Sequence, residues 1–213
     1  MSVEEAYNVW AGQYDTNNNR TRDMEGVVMK SVLSSEHVVH HTSCLEIGCG
    51  TGKNTIWIAD AFASVVSVDF SEQMLSVARD KLSGKSTVAF HLSDITQQWS
   101  LSSETFDMIT FSLVLEHIAD LDFVFAEVAA KAHSGSLVYI GELHPFKQYA
   151  GTKARFESAT GTQELTCYIH HMSDFTHAGA KHGFRLLQLD EHFDDDDRQK
   201  NIPRVLSLLL LKE

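Results

Sequence analysis

LEIGCGTGKNT, residues 45–55, sets Gly48, Gly50 and Gly52 at alternate positions, after an apolar run and ahead of a lysine. Glycine turns between a strand and a helix hold phosphates or nucleosides, because backbone without Cβ atoms lets a ligand come close. A phosphate-binding P-loop requires G-x-x-x-x-G-K-[ST]. Here Asn54 follows Gly52-Lys53, and Ile47 stands where the leading glycine belongs. The metal-binding hydroxyl and the loop length are both missing. The dinucleotide fingerprint is G-x-G-x-x-G, and the third glycine arrives one residue early. The setting otherwise agrees: strand, glycine turn, helix, then Asp69 closing a second strand 21 positions after Gly48. An acid at that point accepts hydrogen bonds from ribose hydroxyls. The residues thus support a bound nucleoside and speak against a pyrophosphate.

Outward from this loop the chain alternates. TSCLEIG, SVVSVDF, STVAFHLSD, FDMITFSLVL and GSLVYIGEL read as strands. KNTIWIADAFA, SEQMLSVARDKL (N-capped by Ser71) and DLDFVFAEVAAKAH read as helices. Continuous apolar strands alternating with helices imply a parallel sheet covered on both faces. Two further helices, VEEAYNVWAGQYD and RDMEGVVMKSVLSS, precede it, separated by the polar turn TNNNRT. MSDFTHAGAKHG reads as a last helix ending at Gly183. FRLLQLDEHF and IPRVLSLLLLKE then read as an antiparallel pair joined by the acidic DDDDRQKN, a solvated turn. The expected fold is α/β: a doubly wound sheet of about seven strands, mostly parallel, with an antiparallel C-terminal hairpin and helices on both faces. A single domain over 1–213 is expected. In it, 1–40 are a helical cover, 41–143 the cofactor-binding core, 144–183 a substrate lid and last helix, and 184–213 the terminal strand pair.

LEIGCGTG, SVDFSEQML, LSDI and LVLEHI, in this order and spacing, resemble the class I S-adenosylmethionine-dependent methyltransferases, strongly over roughly residues 40 to 145. The resemblance implies a Rossmann-like fold and S-adenosylmethionine as cofactor. It implies that Glu46, Gly48, Cys49, Gly50 and Gly52 face the methionine part and that Asp69 holds the ribose. Phe70 and Met74 would pack near the adenine, and Asp94 would accept from its amino group beside Ile95. Ser112 and Leu113 would wall the sulfonium. Tyr14, with Tyr7 and Trp10, would cover the cofactor, and Arg20 or Arg22 would pair with a carboxylate of cofactor or substrate. The activity implied is methyl transfer to an oxygen or nitrogen, less readily a sulfur, of a small molecule. The alternatives are a nicotinamide-dependent oxidoreductase and a non-catalytic binding module.

Twelve histidines supply candidate bases. His144 follows the fifth strand and is preferred; His117, after the fourth, and His171, before the last helix, support it. His170 reads as solvent-facing. Glu142 and His144 could share a strand face, but nothing fixes a third ligand, so no metal is expected. Lys147, Lys153 and Arg155, interleaved with Phe146, Tyr149 and Phe156, suggest a lid that reads an anionic or aromatic substrate, or simply a solvated helix. A formal charge of −12 disfavours nucleic acid. Cys44, Cys49 and Cys167 form no CxxC, and no apolar run is long enough to span a bilayer. A cytoplasmic location is expected, with no membrane partner; the oligomeric state is left open.

Overall fold

The computed structural model describes residues 2–35, 38, 42–101, 104–158, 161–195 and 201–213. Helices α1 (Val3–Trp10) and α2 (Arg20–Leu33) lead into the alternating core. There β1 (Ser43–Ile47), α3 (Thr55–Ala61), β2 (Ser64–Asp69), α4 (Glu72–Lys81), β3 (Val88–Leu92), β4 (Phe106–Ser112), α5 (Leu121–Ala130) and β5 (Ala132–Leu143) follow in turn. After β5 come the short α6 (Pro145–Tyr149), the hairpin β6 (Arg155–Ser158) and β7 (Gly161–Glu164), and α7 (Met172–Lys181). Strands β8 (Phe184–His192) and β9 (Val205–Lys212) complete the chain. Seven strands form one sheet in the order β3-β2-β1-β4-β5-β9-β8. The first five are parallel, and β9 inserts antiparallel between β5 and β8.

Side chains alternate between the faces of a strand, and each central strand feeds two cores. Leu45 and Ile47, Ile109 and Phe111, Val138 and Ile140, and Leu206, Leu208 and Leu210 pack under α5 and α7. Cys44, Met108, Leu137, Tyr139 and Leu209 pack on the other face under α2 and α3. This two-sided burial explains why the strands read as continuous apolar runs.

Several elements differ from the sequence expectation. Helix α1 stops at Trp10, and residues 11–16 are turns. The Arg22 guanidinium gathers the carbonyls of Tyr14 and Asn17 there and competes with helix continuation. Strand β4 ends at Ser112, not Leu115, and a 3-10 turn, Leu115–His117, follows. Residues 145–164 hold a short helix and a hairpin where a solvated helix was the plain reading. Asp194 is buried against Arg204, which donates to it through Nε at 2.6 Å and Nη2 at 2.7 Å, so it is not part of a solvated run. Residues 196–200 of that acidic link lie outside the described residues.

Asp107 ties the lower edge of the sheet. Its Oδ2 accepts from Thr42 N (2.8 Å), Thr42 Oγ1 (2.9 Å), Ser43 N (2.9 Å) and Ser43 Oγ (3.1 Å). Partial burial alone would raise its pKa, but these four bonds outweigh it and hold the carboxyl well below the usual range. Its stabilisation is therefore present above about pH 4 and lost only in strong acid. Asp107→Asn is expected to lower Tm at pH 7 by about 2–8 °C, from a loss of about 1–3 kcal/mol. A thermal melt unchanged from the wild-type curve would contradict this.

Candidate functional site

The carboxyl ends of β1, β2, β3 and β4 open on one side of the sheet, where ligands of such folds bind. A cavity of about 320 Å³ lies there. Its floor is Gly48 and Gly50, and its walls are Asp69 and Phe70, Asp94 to Thr96, and Ser112 to Val114 with His117 and Ile118. Tyr7 and Tyr14 cover it from the N-terminal segment. Gly48 has φ +71°, and a Cβ there would lie 2.2 Å from Val114 Cγ2. A side chain would fill the cradle and force the β4 turn away. Asp69 shapes the loop by accepting from Gly50 N–H (2.8 Å) and Ser71 N–H (2.9 Å). Burial pushes its carboxyl up to about 6, against those two bonds.

Behind the loop lies a recess of about 40 Å³, lined among others by Tyr14, Arg22, Glu46, Cys49, Asn54 and Leu113. Arg22 is buried, and its Nε has no hydrogen-bond partner. Its Nε stands 3.7 Å from Asp23, and its guanidinium lies over the Tyr14 ring at 4.9 Å. Glu46 Oε2 accepts from Thr55 Oγ1 (2.6 Å) and Ser67 Oγ (2.8 Å) and so joins β1, β2 and α3.

The turn after β4 is set by a carboxyl that sequence reading considered only as a metal ligand. Glu142, buried on β5, accepts from Val114 N (3.0 Å) and Leu115 N (2.7 Å) through Oε1 and from Glu116 N (3.3 Å) through Oε2. Leu113 is thereby held at φ +57°, the only non-glycine at positive φ among the described residues. Such strain persists where surrounding bonds over-determine it, and it gathers at functional sites. Glu25 of α2 is buried too, bonded to Ser112 Oγ and to Tyr139 OH (3.0 Å). At the cavity wall Tyr7 OH lies 3.0 Å from His117 Nε2, and His117 Nδ1 lies 2.9 Å from the Thr166 carbonyl. A carbonyl only accepts, so Nδ1 carries the proton and Nε2 accepts from Tyr7.

A second cavity, of about 310 Å³, shares Tyr7, Tyr14 and Leu113 with the first. Its remaining lining comes from Trp10, residues 18–21, Glu116, Leu143, residues 152–155 and Arg204.

A family model described as a methyltransferase domain matches residues 45–140, the span that builds the glycine loop, Asp69, Asp94 and the turn after β4. An uncharacterized methyltransferase of Emericella nidulans is 27% identical over 87% of this chain and 77% of its own. Residues 45–140 are a methyltransferase domain, and the enzyme is S-adenosylmethionine-dependent. A ubiquinone biosynthesis O-methyltransferase of Rhizobium rhizogenes is 30% identical over 47% of this methyltransferase, which spans only 40% of that relative's length. The structure titled DhpI-SAM-HEP complex superposes with a TM-score of 0.75 at 18% identity, over 97% of this chain and 94% of that one. At that identity the likeness is one of fold.

The methyltransferase brings most of the expected cofactor set together. Gly48, Gly50, Asp69, Phe70, Asp94, Ile95, Ser112, Leu113 and Tyr14 line the main cavity, and Glu46 and Cys49 line the recess. Gly52 and Met74 do not line either space. Gly52 faces Ala78 of α4 and Leu82 just after it, and Met74 is fully buried against Ala6 and Trp10. Arg20 lines the second cavity, and its neighbour Arg22 enters the recess.

Of the candidate bases, only His117 reaches the cavity. His144 is wholly buried and serves structure: its Nδ1 accepts from Phe146 N–H (3.2 Å), and its Nε2 pairs with Glu191 (2.8 Å). His171 precedes α7, on the surface, 2.5 Å from Tyr149 OH. His170 is buried, bonded to the Ile118 carbonyl at 2.7 Å, rather than facing solvent. Lys147 turns toward Asp194, so of the three cations in this stretch only Lys153 and Arg155 line the second cavity. Glu25, Glu116, Glu142 and Arg22 carry the site more than the histidines do. An acid or arginine inside an otherwise apolar pattern, as in VYIGELH, was the available signal.

Burial, opposed by hydroxyl donors, pushes Glu25 and Glu46 up to about 7. Burial, then the nearby Glu116 charge, pushes Glu142 up to about 8. Each holds its proton more tightly folded than unfolded. Their stabilisation is full below about pH 4 and is lost progressively as pH rises from there through the folded values of about 7 and 8. Between pH 6.5 and 8.5 the ligand-free protein is expected to lose about 2–4 kcal/mol, or roughly 5–15 °C in Tm. Glu142→Gln should flatten that slope. A Tm independent of pH over this range in the wild type would refute the assignment.

Proposed function

We propose that this methyltransferase transfers the methyl group of S-adenosylmethionine to an oxygen or nitrogen of a small molecule. The observation that carries the reading is the meeting of two cavities at Leu113, Tyr7 and Tyr14. One has the lining a nucleoside needs, and the other is large enough for a small acceptor. The O-methylating relative is in keeping with such an acceptor.

The residues divide the work. Arg22, which lines the recess and whose Nε makes no hydrogen bond, suits the carboxylate of the cofactor's amino-acid end. Asp69 retains lone pairs for ribose hydroxyls. Phe70 and Ile95 offer apolar faces to the adenine, and Asp94, whose Oδ1 accepts from Thr96, offers an acceptor to its amino group. The sulfonium supplies the leaving group when bound. The chain contributes alignment of the acceptor in line with the methyl and exclusion of water by the aromatic cover. Tyr7, on the wall between the cavities, is placed to take up an acceptor proton, with His117 Nε2 behind it as the receiving base.

Calorimetry tests the donor. Binding of S-adenosylmethionine and its demethylated product, with none of NAD, is expected; NAD binding in their place would restore the oxidoreductase reading. Asp69→Asn should weaken the demethylated product about tenfold or more. Tyr7→Phe should leave that affinity within about threefold and reduce kcat about tenfold to a hundredfold. An unchanged kcat would remove Tyr7 and His117 from the chemistry.

A further inference from the structure

The second cavity has a chemistry of its own. The chain carries 17 Lys and Arg against 29 Asp and Glu, yet Arg20, Lys153, Arg155 and Arg204 all line this one space. They come from three separate parts of the fold: the first turn of α2, the start of β6 with the residues before it, and the segment before β9. Arg204 is committed to Asp194 through two bonds. Lys153 stands 3.7 Å from Glu164 at a solvent-exposed position. Arg20 and Arg155 are exposed. Arg20 also opens a 14-residue helix, whose positive dipole end faces the same space.

The lining has the opposite character at Glu116. This residue is 7% exposed and lies in the turn that Glu142 holds. Its Oε2 has no hydrogen-bond partner. A buried carboxylate oxygen without a donor is costly unless a ligand supplies one. Burial raises its pKa, partly offset by the neighbouring His117. Tyr7, Tyr14 and Leu113, shared with the cofactor cavity, lie beside it.

We propose that this cavity is the acceptor site and selects a small acid: Arg20, Lys153 and Arg155 take its anionic group, and Glu116 Oε2 takes the N–H or O–H of the atom to be methylated. This rests on the methyl-transfer reading above. The acceptor's oxygen or nitrogen would attack the methyl carbon with its lone pair as the carbon–sulfur bond breaks toward sulfur. Its proton would then leave along Tyr7 and His117 or to Glu116.

The test is calorimetry on the full chain saturated with the demethylated cofactor. The probes are 4-hydroxybenzoate and 3-hydroxypropionate, their amides, and benzoate. Each acid is expected to bind about tenfold or more tightly than its amide. In K153Q/R155Q that preference should fall to about threefold or less, with binding of the demethylated cofactor retained as proof of folding. In Glu116→Ala the acid-over-amide preference should persist, while the preference of 4-hydroxybenzoate over benzoate disappears. Acids and amides of equal affinity, no acid binding below about 10 mM, or a preference that survives K153Q/R155Q would each overturn the proposal. If the demethylated cofactor itself does not bind, the donor reading has failed, and the acceptor assignment falls with it.

Discussion

A single buried carboxyl holds the site open. Glu142 sits at the end of the most central strand pair and gathers three successive N–H groups of the turn after β4. Those groups would otherwise point into a low-dielectric interior without partners. Their capture lets β4 stop abruptly, tips Leu113 into the left-handed region, and brings His117 to the cofactor side while Glu116 faces the other cavity. Val114, fixed by the same bond set, is the side chain that any Cβ at Gly48 would strike. The glycine loop and the β4 turn are therefore fitted to each other, and neither can move without the other.

Around that turn the protein places acids where most cores place none. Glu25, Glu46, Asp69, Glu116 and Glu142 are all buried on the carboxyl side of the sheet. A ligand with a sulfonium and an ammonium group offsets the electrostatic cost of such a cluster. This gives the fold a chemical reason to favour a cationic nucleoside over a polyanionic one. The acids are not interchangeable. Glu46 and Glu25 bond to hydroxyls and act as struts. Asp69 shapes the glycine loop, and Glu116 leaves one oxygen without a hydrogen bond.

The sheet and most of the lining of the main cavity were legible because both are written as local patterns. Apolar runs and helical periods report burial on two faces, and the glycine spacing with Asp69 and Asp94 reports a nucleoside. The surroundings of the second cavity were not, because they depend on pairings distant in sequence. His144 follows a strand end, as a base should, but Glu191 of β8 lies beside it and turns it into a structural post. Asp194 sits in an acidic run, but Arg204 takes it into the interior. Met74 and Gly52 follow the family pattern, yet the packing of α1 and α4 draws them away from the cavity. Only partners far along the chain decide these cases, and no period or spacing encodes them.

The antiparallel seat of β9 has a consequence for how such a protein can change. Leu143 and Val205 are paired neighbours in the sheet, so everything from residue 144 to residue 204 is one excursion stapled at its base. The hairpin, α7 and β8 all lie within it, as do Lys153, Arg155 and Arg204. The entropic cost of closing such a loop grows only slowly with its length. Insertions, deletions and new charges can therefore accumulate in that excursion while the register of β1 to β5 beneath the main cavity stays fixed. One scaffold can in this way keep a constant methyl donor and exchange one acceptor for another.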